Sequence, residues 1–119
     1  MTKMMLIEDD ATMRSLLKTI FELEGFQVHT QEEGCQEDVE RAVREHSPAL
    51  LFLDVNLRDA SGIEITRGLR EKFGQSVKII LSSGMPLKAE SMQAGADDFI
   101  LKPFMPDELI YKVKSLLIK

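Results

Sequence analysis

Cysteine is nearly missing from this chain. Cys35 stands alone, so no internal disulfide forms and there is no cysteine spacing of the metal-binding kind. Its neighbours in sequence include no histidine to activate the thiol. A chain that keeps one reduced thiol fits a reducing cytoplasm. Tryptophan is absent and aromatics are 6% of residues, which leaves aliphatic side chains and methionine to fill the interior. No apolar run approaches the ~20 residues needed to cross a bilayer. The opening "MTKMMLIEDD" runs from four apolar residues straight into three acids, unlike a signal peptide. A basic excess is missing too. Lys and Arg number 15 against 20 Asp and Glu, for a net charge of −5. Broad nucleic-acid binding needs a basic face to displace phosphate counterions, so that class is disfavoured. Partners with basic patches remain compatible.

What is present is ordinary for one soluble domain. The 119 residues are 44% hydrophobic and 29% charged. A chain of this length buries roughly two-thirds of its unfolded surface, enough for a core without staples. Five short apolar runs stand out: Met4 to Ile7, Gln27 to Thr30, Ala49 to Leu53, Val77 to Leu81 and Asp98 to Leu101. The first, third and fourth are almost wholly apolar, as strands buried on both faces are. Helical spacing separates them. Met13, Leu16, Leu17, Ile20 and Phe21 define a first helix with Gly25 as C-cap. Val39, Ala42 and Val43 define a second that stops before Pro48. Ile65 and Leu69 mark a third, ended by Gly74. A short fourth runs from near Pro86 to Gly95, and a fifth opens near Pro106 and runs to Lys119, with Leu109, Ile110, Val113, Leu116 and Leu117 inward. The pattern β-α, five times over, predicts an α/β fold: a single doubly wound parallel sheet with helices on both faces.

Ligands of such sheets bind beyond the carboxyl ends of the strands. The residues there are Glu8, Asp9 and Asp10 after the first run, and Asp54 then Asn56 after the third. Ser82 and Ser83 follow the fourth, and Lys102 the fifth. Two carboxylates ~4 Å apart repel by ~4 kcal/mol at an effective dielectric of about 20. Glu8, Asp9 and Asp54 together are therefore strained unless a proton, Lys102 or a cation compensates. Magnesium takes one or two carboxylates and keeps positions open for a phosphate oxygen. A carboxylate is itself a nucleophile toward phosphorus. Lys102 and a metal can neutralise a phosphoryl group, and Ser82 can donate to it.

"LIEDD", "LFLDVN", "IILSSG" and "FILKPF", in this order and at these separations, resemble the receiver domain of two-component response regulators. The resemblance covers essentially the whole chain. It implies the strand order 2-1-3-4-5, which the general description of doubly wound sheets gives for a receiver of this family. It implies phosphorylation of Asp54, with Mg2+ or Mn2+ held by Glu8, Asp9, Asp54 and the Asn56 carbonyl. Ser82 matches the switch hydroxyl, Lys102 the family lysine and Phe99 the aromatic that swings inward on activation. Backbone at Val55 and Ser83 would contact the phosphate. The Lys102–Pro103 bond is commonly cis in the family. The implied partners are a sensor histidine kinase or phosphotransfer protein as donor and a downstream protein as reader. A phosphorylation-dependent homodimer stays open, with no direct nucleic-acid or membrane binding expected. The implied setting is a bacterial or archaeal cytoplasm. The expected organisation is one receiver domain over residues 1–119 with no output domain. The expected function is a signalling switch read through the helix 4–strand 5–helix 5 face, not an enzyme acting on other substrates.

Plainer readings stand beside these. Asp10 reads as the N-cap of the first helix. Gly62 reads as a turn glycine opening the third. Phe99 is either the switch aromatic or a fixed core residue. The methionines read as core fillers, and His29 and His46 as surface residues. Asp97 and Asp98, with Lys112, either pair across a dimer or form a solvated cluster. Against the family norm, the stretch from Ser82 to Lys102 is about two residues short and that from Gly34 to Asp54 about two residues long. Ala49 stands where an acid is common and Arg58 where a proline is common. Two rival functions remain: an aspartate-nucleophile phosphohydrolase, which would place an acid where Asn56 stands, and a constitutive binding module.

Overall fold

Short apolar runs and amphipathic helices alternate, and the chain winds them into one parallel sheet. The computed structural model describes residues 1–32, 34–58 and 60–117. In chain order the elements are β1 (Lys3–Ile7), α1 (Ala11–Leu23), β2 (Gln27–Gln31), α2 (Gln36–His46) and β3 (Leu50–Asp54). Then come α3 (Gly62–Phe73), β4 (Lys78–Ser83), α4 (Lys88–Ala94), β5 (Asp98–Leu101) and α5 (Pro106–Leu117). The strands pair in parallel in the order 2-1-3-4-5, as the resemblance implied. The expectation that the last helix runs on to Lys119 falls, past Leu117, outside the described residues. No helix among the described residues is long and apolar enough to cross a membrane.

Strand alternation splits the interior into two cores. Met5, Ile7, Leu51, Leu53, Ile79 and Leu81 face one side, under Val39, Val43, Ile65 and Leu69 of α2 and α3. Met4, Leu6, Leu50, Phe52, Ile80 and Ile100 face the other, under Leu17, Phe21, Leu109 and Val113 of α1 and α5. Each such side chain contributes roughly 1.5–3 kcal/mol by leaving water. Asp10 caps α1 as expected, its Oδ1 accepting from the Thr12 and Met13 amides. Gly25 follows at φ +95, a conformation that suits glycine. The Lys102–Pro103 peptide is cis.

Several expectations need correction. Leu16 is 49% exposed, because the line Met13–Leu17–Phe21 takes the sheet side and residue 16 lies a third of a turn away. Only some methionines fill the core. Met4 and Met5 are buried, whereas Met85, Met92 and Met105 are exposed. His29 and His46 are surface residues, but they are not separate ones. They are half-buried and stack across β2 and the end of α2, ring centroids 3.9 Å apart. Asp97 and Asp98 are not one cluster, since each has its own partner within the chain: Asp97 is paired with Arg70 at 2.7 Å, and Asp98 with Lys112 at 3.3 Å in a partly exposed ion pair.

Candidate functional site

The strands deliver their last residues to one edge. β3 ends on Asp54, which is 7% exposed and lies in register with Ser82 of β4. β1 delivers Glu8 and Asp9 beside it, and the loop after β5 delivers Lys102. One carboxylate oxygen from each of Glu8, Asp9 and Asp54 lies within 4.8 Å of the others. Such crowding of like charge demands a cation. Lys102 meets part of that demand. Its Nζ donates to Asp54 Oδ2 at 2.7 Å and lies 3.5 Å from Glu8 Oε1. At 3.5 Å the second contact is an ion pair and not a hydrogen bond.

The titration of the site follows from these contacts. Burial acts to lower the Lys102 pKa, but the hydrogen bond and charge of Asp54, with Glu8 behind them, outweigh it and raise it. Burial raises the Glu8 pKa. The Asp10 amide and the Lys102 charge oppose that, and the Asp54 charge adds to it. Glu8 is 1% exposed and its Oε1 has no hydrogen-bond partner. A buried carboxylate oxygen facing two further carboxylates, so that every candidate ligand atom is an oxygen, suits a hard divalent cation. The donor set therefore fits the metal that the motifs implied.

Asn56 contributes through its backbone. It pairs with Ser61 in an isolated antiparallel bridge whose bonds run from Gly62 N to Val55 O and from Leu57 N to Ala60 O. Its own amide and carbonyl stay out of that bridge. The amide donates to Asp54 Oδ1 at 3.1 Å. The Val55 amide donates to the Ser82 carbonyl at 2.8 Å. The amide aimed at the Asp54 side chain belongs to Asn56. Ser83 is fully buried. Its carbonyl accepts from the Lys102 amide and its Oγ from the Met85 amide. Ser82 is fully buried as well, and its Oγ has no partner. Phe99 is 6% exposed and sits in the core beside α3, so its ring is already inside in this structure.

Two contributors escaped the sequence reading. Gly62 does open α3, but for a different reason. A Cβ there would lie 2.3 Å from the Asp54 carbonyl oxygen and 2.9 Å from Val55 Cα. The first turn of α3 rests on the backbone of Asp54, and only glycine permits that approach. Arg14 of α1 is the other. Its Nη1 donates to the Glu8 carbonyl at 2.7 Å and fixes the acidic turn. Neither has a signal in a single sequence beyond residue type.

Known proteins share this fold. The family model described as "Response regulator receiver domain" matches residues 4–114. The transcriptional regulatory protein SrrA of Staphylococcus aureus is 34% identical over 116 residues, which is 97% of this chain and 47% of the relative. The chain thus spans about half the length of the curated relatives it matches. A putative response regulator from Chloroflexus aurantiacus superposes with a TM-score of 0.88 at 25% identity, covering 99% of this chain and 98% of that one. A BeF3-activated DrrB receiver domain gives 0.83 at 30% identity, covering 98% and 97%. The family match spans both sheet faces and every strand end described above, and the chain belongs to the response regulator receiver domain family of two-component signalling.

Proposed function

We propose that this chain is a phosphorylation-controlled switch in which Asp54 accepts a phosphoryl group from a phosphohistidine on a sensor kinase or phosphotransfer protein. The observation that carries this is Ser82 Oγ: fully buried, unpartnered, and in register beside the acceptor. A buried hydroxyl without a partner costs about 1–3 kcal/mol, and a phosphoryl oxygen on Asp54 would satisfy it. In the transfer an Asp54 carboxylate oxygen forms a bond to phosphorus as the bond from phosphorus to the donor imidazole breaks. The electron pair of the broken bond returns to the imidazole nitrogen. Lys102, already on Asp54 Oδ2, would shift to the new phosphoryl oxygens. The Asn56 amide would hold the Asp54 oxygen in line. Glu8, Asp9, Asp54 and the Asn56 carbonyl would hold Mg2+ or Mn2+, which supplies neutralising charge to the phosphoryl oxygens.

The signal would leave through the face of α4, β5 and α5. Five of the eight large hydrophobics exposed among the described residues support this: Met85, Met92, Leu101, Met105 and Tyr111 all fall in that stretch. Adaptable methionine on an exposed surface suits a docking face. A downstream protein would bind there, and a phosphorylation-dependent homodimer would use the same surface. Phe99, inside the sheet next to it, would report the loaded state by its rotamer. Amide NMR shifts with magnesium and beryllofluoride test this reading. Changes at Asn56, Ser82 and residues 84–92 and 99–111 are expected, and Asp54→Asn should abolish them. A face that stays silent while the site loads would refute the switch.

A further inference from the structure

One guanidinium joins three elements at the end of the sheet opposite the acceptor. Arg70, near the end of α3, has a side chain 10% exposed. Its Nη2 donates to Asp97 Oδ2 at 2.7 Å and its Nε to the Gly95 carbonyl at 2.8 Å. Its Nη1 donates to the carbonyls of Val77 at 2.6 Å and Gly74 at 2.9 Å. Asp97 Oδ2 also accepts from the Ile79 amide at 2.8 Å, and the Asp97 amide donates to the Ile79 carbonyl at 2.8 Å. The end of α3, the start of β4 and the end of α4 are thereby locked together. Gly95, at φ +112, packs so closely that a Cβ would lie 2.7 Å from Arg70 Cγ. A rigid, always-charged fork with several donors suits such an anchor better than a lysine would.

The other end of α4 has no comparable hold. Its N-cap, Leu87, makes no side-chain capping bond. Gly84, Met85 and Pro86 before it are exposed. The helix buries only Ser91 and Ala94, and Ser91 Oγ has no partner. This loose end is wired to the site, since the Met85 amide donates to Ser83 Oγ, next to Ser82.

We infer that Arg70 and Asp97 form the hinge about which α4 turns when the acceptor is loaded. The inference rests on the switch reading above. Pulling Ser82 and Ser83 toward a phosphoryl group moves Met85 and the first turn of α4, while Arg70 holds Gly95 in place. Met85 then changes exposure, and the far end of the helix does not. Arg70 is a positioning residue that converts a shift at the strand end into a rotation of the docking face.

Amide hydrogen exchange on the isotope-labelled full chain tests the hinge, first free and then with magnesium and beryllofluoride. In the free protein the Ser91 and Met92 amides should exchange at least about tenfold faster than those of Gly95 and Ala96. Asp97→Asn keeps an acceptor for Ile79 but removes the charge facing Arg70, and Arg70→Gln removes the fork. In whichever of these folds, Gly95 and Ala96 should lose their protection down to the level of the first turn. Within residues 84–97, shift changes on loading stay inside residues 84–92 in the parent and should then spread to Gly95 and Ala96. Uniform exchange along α4 in the parent, or variants that keep the parent gradient, overturns the hinge. A gradient with no beryllofluoride response overturns the switch reading and leaves the anchor standing. A response without a gradient does the reverse.

Discussion

Asp54 occupies a position that is costly without company. Three carboxylates share a few ångströms with one ammonium, so the site is short of positive charge. Removing that ammonium in Lys102→Met should tighten Mg2+ binding several-fold, on the order of 1 kcal/mol, because the metal becomes the sole compensation. Asp9→Asn should weaken it by at least as much. Calorimetric titration checks both, and weaker binding in the lysine variant would contradict the charge account. Gly62→Ala should cost about 2 kcal/mol, since the new methyl has to displace the Asp54 backbone. Gly84→Ala, whose Cβ would meet nothing within 4 Å, should cost little in the same melts. The acids, Ser82 and Lys102 were legible in sequence because each is a chemical type placed after an apolar run. Gly62 and Arg14 were legible only as residue types. Their roles are distances to backbone atoms, which no linear pattern encodes.

Among the elements, α4 is the weakest. Seven residues, no side-chain N-cap and a buried unsatisfied hydroxyl leave little to hold its first turn. Ser91→Ala should raise stability by about 1 kcal/mol, because it removes a buried hydroxyl that has no partner. A lowered denaturation midpoint would show that the hydroxyl is satisfied after all. The sequence placed the start of this helix too early, near Pro86, since a tolerated proline is not a cap. Strand ends were misjudged the other way. β3 and β4 run on through Asp54 and Ser83 because ladder bonds do not depend on side-chain polarity. The stacked histidines between β2 and α2 carry their own prediction. Burial and the facing His46 lower the His29 pKa, with Gln31 and Glu45 opposing. The unfolded chain therefore binds the proton more readily than the folded one. Stability from this group is complete above the ordinary imidazole value of 6.5 and is lost as pH falls through the lower folded value. Melts across that range should show the loss in the parent and a smaller one in His46→Asn. Equal slopes would rule out the pair as the cause.

At the scale of the whole molecule, the alternation of runs and helices made the doubly wound sheet legible from periodicity alone. The strand order came with the four motifs and agrees with the structure. The fate of the charges was not legible, because Asp97 finds Arg70 only when α3 and α4 end side by side. The fold gathers an acidic pocket with one lysine at one end of the sheet and a helix anchored at the other. Between them lies a face rich in exposed methionine. The account depends on Asp54 being the acceptor. An intact-mass spectrum after incubation with magnesium and acetyl phosphate tests that directly, with Asp54→Asn alongside. The account predicts a single phosphoryl adduct in the parent and none in the variant. A folded parent that stays at its unmodified mass, or a variant that gains the same adduct, would contradict it.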